Sequence, residues 1–464
     1  MKDFFYKYAQ RDDLISIKND DRSFTYKELF NLSEKLSGAF GSKVNTQQKY
    51  IPILSSNSPE FVIITLALWN IGLTPVPLNI KWTVSEIDSA LSKHKFDILI
   101  YEDKFVDKLS SLQIIKISIK ELFEAESKSV VTKDNDEAVV IFTSGSSAKP
   151  KGVIHTFNSL SNSIMNGSKV LNQKVGDRWL ASLPFYHIGG FQIICRALSA
   201  GCEIIIPEDL KIQSLISSII KFKPTHLSLV PTQLIQLLEE STPAPDELNL
   251  CLIGGGFSED SLIIDAADKG WKPVRVYGST ETASFVTAPD VETIKKKPGT
   301  AGKAVENVKI KISSEDEILI SSSSLFKSYL NEDNATKEKL KNKFYYSGDL
   351  GRLDEQEYLF IEARRTDLIV SGGENVNPFE VESVLLKIDS ISEACVFPVQ
   401  DEKWGQIVAA ALVLKKNTDE EAIKSELKKN LAAFKIPKKF FFVDKLPKTS
   451  LGKIEREKVR RMFH

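Results

Sequence analysis

Val139-Val140-Ile141-Phe142-Thr143-Ser144-Gly145-Ser146-Ser147-Ala148-Lys149-Pro150-Lys151-Gly152-Val153 is the stretch around which the chain is organised. Its apolar, β-branched start reads as a buried strand. That strand runs out into ten residues of hydroxyls, glycines and lysines, and a second apolar-periodic segment begins near Phe157. The loop carries exposed backbone N–H groups, four hydroxyls and two ammonium groups, with few bulky side chains to block an approach. Those are the parts needed to hold a polyphosphate. The G-x-x-x-x-G-K-[ST] spacing of a Walker loop is absent. Taken alone, the stretch reads equally well as a mobile Ser/Gly/Lys surface turn.

Outward from this loop, strand-like and helix-like segments alternate. Ile51–Leu54 reads as a strand; the helix after it is capped by Ser58, opened by Pro59 and ended by Gly72. Thr83-Val84-Ser85-Glu86 is a capping box opening another helix. Further strands are expected near Phe96–Tyr101, Trp179–Leu183, Glu203–Ile206, His226–Val230, Leu250–Ile253 and Val274–Tyr277. Such alternation predicts an α/β fold with mostly parallel sheets layered with helices. After Pro298 the texture changes to short alternating segments, Val308–Ser313, Glu317–Ser321, Phe344–Tyr346 and Tyr358–Glu362, which predict a small antiparallel β-subdomain. From about Pro378 a smaller α+β unit follows. The boundary is expected between Arg364 and Leu368, giving domains 1–364 and 365–464.

A chain of 464 residues exceeds what one core organises. Its composition, 42% hydrophobic and 27% charged, excludes disordered and fibrous classes. With 61 basic against 62 acidic residues, nothing points to nucleic acid or to an anionic membrane. Charges lie within Met1–Asp13, where a signal peptide needs an apolar core, and the longest apolar stretch, Phe61–Ile71, is far short of a membrane span. Cys195, Cys202, Cys251 and Cys395 form no tight pair, which suits reduced thiols in a cytoplasmic protein. Homo-oligomer formation is left open.

Several other segments carry chemistry. Gly254-Gly255-Gly256 ends a strand where a planar group can lie against backbone, or makes a tight turn. Tyr277-Gly278-Ser279-Thr280-Glu281-Thr282 offers a ring to stack on a purine, a hydroxyl for a phosphate and a carboxylate suited to Mg²⁺. Asp349 in Tyr346-Ser347-Gly348-Asp349 precedes Arg364 by fifteen residues; a carboxylate accepts both hydroxyls of a ribose and an arginine fork binds ribose or phosphate. His187 lies in Leu183-Pro184-Phe185-Tyr186-His187-Ile188-Gly189-Gly190, and is read as a pocket wall or gate. Nine residues on, Arg196 sits within an apolar run and needs an anionic partner, from the protein or from a ligand.

Together these segments resemble the adenylate-forming superfamily of acyl-CoA ligases, luciferases and peptide-synthetase adenylation domains. That family's loop runs Thr-Ser-Gly-Ser/Thr-Thr-Gly-x-Pro-Lys-Gly; this chain matches at Thr143, Ser144, Gly145, Ser146, Pro150, Lys151 and Gly152, and has Ala148 where glycine is usual. Tyr-Gly-x-Thr-Glu at Tyr277–Glu281 and Pro-Lys-Thr-x-x-Gly-Lys at Pro447–Lys453 match as well, and the resemblance covers essentially the whole chain. It implies a large N-terminal domain, a hinge near Thr366 and Asp367, and a small mobile lid. ATP would be held by Thr143, Ser144, Gly145, Ser146, Ser147, Lys151, Gly254, Gly255, Gly256, Tyr277, Thr280, Asp349 and Arg364, with Mg²⁺ on Glu281. Lys453 would be the catalytic cation, acting with Thr280 and Glu281. His187, Arg196 and Gly278 would face the carboxylic acid substrate. Gly372 and Gly373 would line a channel for CoA, and Lys435 would meet CoA phosphates or be surface charge. The expected activity is acid–thiol ligation through an acyl adenylate. A carrier-protein acceptor and a non-catalytic nucleotide-binding regulator are the rivals; Glu281, Asp349, Arg364 and Lys453 weigh against the latter.

Overall fold

The apolar runs and capped helices assemble into parallel sheets, as their alternation predicts. The computed structural model describes residues 2–43, 48–127, 134–143, 150–364, 368–371, 374–401, 405–449 and 452–463. The helix Pro59–Asn70 starts where Ser58 accepts a hydrogen bond from the Phe61 amide (3.1 Å), and its ten residues from Pro59 to Trp69 other than Glu60 are buried. A helix so largely apolar has almost no solvent face and belongs inside. Thr83 and Glu86 close the reciprocal capping box of helix Val84–His94.

Two compact units result: Met1–Lys309 with Ile320–Tyr345, and Ile310–Leu319 with Tyr346–His464. In the first, a four-stranded parallel sheet runs in the order Thr74–Pro77, Tyr50–Leu54, Ile98–Tyr101, Ile115–Ser118. A seven-stranded sheet runs Pro273–Arg275, Leu250–Ile253, His226–Leu229, Arg178–Leu180, Glu203–Ile205, Ile15–Lys18, Ser23–Thr25, parallel except for the last pair. Leu215, Ile219, Leu234 and Ile263 from its helices pack on Leu180, Leu227, Leu229, Cys251 and Ile253 from its strands. Parallel register brings the carboxyl ends of four neighbouring strands to one edge, so the residues after 180, 229, 253 and 275 open there together.

The segment between Lys151 and Phe157, to which the sequence assigned no element, is a strand: Gly152–Thr156 pairs antiparallel with Glu137–Phe142, and Ser328–Tyr329 adds on its far side. Five residues are too few to display a period against the loop beside them. Glycine suits its first position, because a Cβ on Gly152 would lie 3.0 Å from Val140 Cγ1 and 3.2 Å from Leu330 Cβ.

In the second unit, Ile391–Asp401 and Gly405–Leu414 pair antiparallel, with Lys439–Phe442 parallel to the latter. Helices Pro378–Leu385 and Glu420–Lys428 cover this sheet through Val381, Leu385, Ile423 and Leu427. On another cluster of the same unit, the rings of Phe397, Phe441 and Phe463 stack together. The expected lid, 365–464, makes up most of the unit.

Candidate active site

Ser144, Gly145, Ser146 and Ser147 lie outside the described residues, but both ends of their loop are placed. The Thr143 amide donates to the Lys151 carbonyl (2.9 Å), so the loop leaves and re-enters across one pair of strands. Thr143 borders a small cleft with Trp82, Phe142, Tyr186 and His187, which brings the expected gate residue to the expected phosphate loop. Burial pushes the His187 imidazole down to about 4, with Lys81 adding to the effect; it is neutral at physiological pH and suits a wall better than a base.

Along the carboxyl edge of the seven-stranded sheet, the three glycines meet the tyrosine motif. A Cβ on Gly254 would stand 2.3 Å from Val276 Cγ2, and Gly255 has φ +78°, so both positions need glycine. Gly254 and Val276 are thereby packed side by side at the ends of neighbouring strands.

The turn that follows is the most heavily held backbone of the site. Thr280–Thr282 forms a single 3-10 turn. Ala283 (φ 57°) and Ser284 (φ 114°) then take up conformations that cost a residue with a Cβ roughly 1–3 kcal/mol each. Their surroundings enforce them. His155 Nε2 bonds the Thr280 carbonyl (2.7 Å), and the Phe326 amide bonds that of Glu281 (2.8 Å). Ser163 Oγ (2.7 Å) and Gln192 Nε2 (2.9 Å) both donate to the Ala283 carbonyl. A carbonyl only accepts, so His155 carries its proton on Nε2, leaving Nδ1 to accept from Ser159 Oγ (3.0 Å). Burial pushes His155 down to about 4 and keeps it in that neutral form. Gly278 is pressed against the same turn: a Cβ there would lie 1.7 Å from the Ser284 carbonyl oxygen.

Arg196, one helical turn beyond Gln192, reaches the turn from the same helix, Ile188–Ala200. It is 2% exposed. Its guanidinium lies 5.6 Å from the Trp179 ring and 5.4 Å from that of Phe285, and Nη2 donates to Ser284 Oγ (3.0 Å). Nε has no partner, and among the described residues no carboxylate pairs with this cation. Burial pushes it down to about 10, where it is still charged at neutral pH. Arg196 and Gly278 thus meet through Ser284, while His187, at the start of Arg196's helix, faces the Thr143 cleft.

Glu281 Oε1 accepts from Tyr329 Oη (2.9 Å), and Lys151 Nζ stands 5.1 Å from the Tyr329 ring centre. Nothing in the sequence singled out Tyr329, His155, Ser163 or Gln192. Each acts on the site from a remote segment, and only His155, a histidine inside an apolar alternation, could have been flagged.

The second unit places its own candidates. Asp349 and Arg364 are paired positions on the antiparallel strands Phe344–Leu353 and Leu359–Arg364. The Asp349 amide is held by Ser347 Oγ (3.0 Å), after Gly348 at φ 79°. Lys453 is exposed at the end of a tight turn in which the Thr449 amide donates to its carbonyl (2.7 Å). Lys435 Nζ is ion-paired with both oxygens of Glu380 (2.6 and 2.7 Å), so an anionic ligand there competes with a carboxylate. Gly372 and Gly373 lie outside the described residues.

Three glycines packed beside the tyrosine motif at the carboxyl edge of the parallel sheet, a clamped Thr-Glu turn and a hydroxyl-rich segment running from Thr143 to Lys151 define a nucleotide-handling α/β enzyme. The chain belongs to the AMP-binding enzyme family: that family's model matches residues 4–330, and the AMP-binding enzyme C-terminal domain matches 380–453. It is similar to the 2-succinylbenzoate–CoA ligase of Bacillus subtilis, 31% identical over 459 residues, covering 96% of this chain and 94% of that one. Among solved structures, the o-succinylbenzoate CoA synthetase of Bacillus subtilis in complex with its acyl-adenylate intermediate matches with a TM-score of 0.92 at 30% identity, covering 98% and 97% of the two chains. The same enzyme in complex with ATP and magnesium ion matches with a TM-score of 0.92, again at 30% identity, covering 98% and 99%. Among the described residues no helix is long and apolar enough to cross a membrane.

Proposed function

We propose that the protein is an ATP-dependent acid–CoA ligase that activates 2-succinylbenzoate through its adenylate, a step of menaquinone biosynthesis. The observation that carries the choice of acid is Arg196, a charged guanidinium at 2% exposure that no carboxylate of the described chain offsets. A buried cation without a partner is costly, and a substrate anion relieves that cost. 2-Succinylbenzoate has two carboxylates; one is activated, and the ring-borne one enters still charged. A pocket for benzoate or a fatty chain has no use for the arginine. The full-length likeness to ligases of this acid supports the same reading.

In the first half-reaction the succinyl carboxylate attacks the α-phosphorus of ATP in line, and pyrophosphate leaves. Gly254–Gly256 and Tyr277 receive the adenine, Asp349 and Arg364 the ribose, and Thr143 with Ser144–Ser147 and Lys151 the phosphates. Thr280 donates to the α-phosphate from a turn whose carbonyls are held on several sides, so little reorganisation accompanies the reaction. The donors suit magnesium: Glu281 offers a hard carboxylate, and the described residues hold no group of three acidic, histidine or cysteine side chains that would suit an all-protein cage. Bound there, the ion would neutralise phosphate charge. Lys453, brought in by the lid 365–464, stabilises charge on the activated carboxylate and α-phosphate. The lid then turns, Gly372 and Gly373 replace Lys453, and the CoA thiol displaces AMP. The four cysteines are buried and not in disulfides, consistent with a cytoplasmic enzyme.

Pyrophosphate release, measured over a panel of carboxylic acids with and without CoA, tests this directly. The reading expects 2-succinylbenzoate to be preferred and its thioester to form with CoA. Preference for benzoate or a fatty acid would remove the assigned substrate. Adenylate that only a carrier-protein phosphopantetheine discharges would remove CoA.

A further inference from the structure

Tyr329 belongs to none of the motifs that identify the site, yet it touches two of them. It closes the strand Ser328–Tyr329 and is registered against Val153, two residues beyond Lys151. Its amide donates to Thr336 Oγ1 (2.9 Å), the next amide, Leu330, donates to the Gly152 carbonyl (2.7 Å), and its ring packs 4.8 Å from Phe326. At 4% exposure the side chain has little room to move. One face of this fixed phenol lies under the Lys151 ammonium, 5.1 Å from the ring centre, and its hydroxyl donates to Glu281 Oε1 (2.9 Å). The segment Phe326–Tyr329 holds Glu281 a second time, since the Phe326 amide bonds its main-chain carbonyl (2.8 Å).

Lys151 and Glu281 have opposite charges and meet the same phenol at different places, the ammonium over its face and the carboxylate at its hydroxyl. Paired with each other, a lysine and a glutamate would each be spent before a nucleotide arrived. The aromatic face offers the ammonium a weaker, easily surrendered partner. The hydroxyl holds one carboxylate oxygen and leaves the other without a hydrogen-bond partner among the described residues. We propose that Tyr329 is a positioning residue for adenylation: it keeps the Lys151 cation available to phosphate and orients the Glu281 carboxylate toward the phosphate-bound magnesium ion. This rests on the reading of Lys151 and Glu281 as nucleotide-binding groups given above.

Calorimetric titration with α,β-methylene-ATP, with and without Mg²⁺, tests the inference without turnover. Tyr329→Phe keeps the ring and removes only the hydroxyl. It is expected to weaken binding about tenfold when Mg²⁺ is present, as loss of a hydrogen bond to a charged group does, and hardly at all when Mg²⁺ is absent. The double variant with Glu281→Gln should bind no worse than Glu281→Gln alone. Tyr329→Leu, which also removes the ring, should weaken the Mg²⁺-free binding as well, through Lys151. Tyr329→Phe with wild-type Mg²⁺-dependent affinity overturns the inference. So does an effect additive with Glu281→Gln, or an equal loss with and without Mg²⁺ accompanied by a lower melting temperature, which marks a packing role. Wild-type protein that binds no magnesium nucleotide overturns the inference and the nucleotide reading together. Wild-type binding with an indifferent Tyr329→Phe removes the inference alone.

Discussion

Arg196→Met separates an arginine kept for a substrate from one kept for the fold, because the two roles move stability in opposite directions. Burial takes the Arg196 guanidinium well below its ordinary value, down to about 10. At about 1.4 kcal/mol per pH unit, folding disfavours the charged form by about 3 kcal/mol. The unfolded chain holds this proton more tightly than the folded one, so the penalty is fully present at every pH below about 10, neutral pH included. Methionine removes the charge and keeps an unbranched apolar chain between Trp179 and Phe285. It forfeits the bond to Ser284 Oγ, worth about 1 kcal/mol. The substrate-free variant should therefore be as stable as the wild type or up to about 2 kcal/mol more stable in urea unfolding. Its Michaelis constant for 2-succinylbenzoate should rise about ten- to a hundredfold, the scale of a lost charged hydrogen bond, while that for ATP stays put. Pyrophosphate release gives both constants. A variant that loses more than about 2 kcal/mol of stability and keeps its affinity for the diacid would show Arg196 to be a structural cation, and the assignment of the acid would lose its support.

Other perturbations probe the remaining assignments. Lys453→Ala should slow adenylation about 10²–10³-fold yet spare thioester formation from supplied acyl-AMP and CoA; equal loss in both halves removes the lysine from its role. Asp349→Ala should raise the Michaelis constant for ATP without changing which acid is chosen, and an unaltered ATP constant would take Asp349 out of the ribose site. His155 gives a pH signature, because the unfolded imidazole takes up a proton below about 6.5 whereas burial delays uptake in the folded protein to about 4. Stability should thus fall as pH drops through that window, by up to about 3 kcal/mol from this residue. His155→Gln keeps an N–H donor for the Thr280 carbonyl and should flatten that part of the curve; identical slopes for both proteins would assign the effect elsewhere.

The α/β alternation, the capped helices at Ser58 and Thr83 and the motif segments at Thr143, Tyr277, Asp349 and Lys453 were legible in the chain alone. Each depends on residues within a few positions of one another, where capping chemistry and apolar periodicity operate. The strand Gly152–Thr156 was not legible, because what makes it a strand is pairing with Glu137–Phe142 and with Ser328–Tyr329, the latter more than 170 residues away. The same holds for the turn Thr280–Ser284. Its sequence suggested a phosphate hydroxyl and a metal carboxylate, but its strained backbone exists only because His155, Ser163, Gln192, Arg196 and Phe326 converge on it from four other segments. Arg196 shows the division most clearly: an arginine in an apolar run announces that some anion is needed, and only the packed structure shows that the described chain does not supply one. Local chemistry is written in neighbouring residues, whereas the burial that turns a charge into a binding site is a property of everything packed around it.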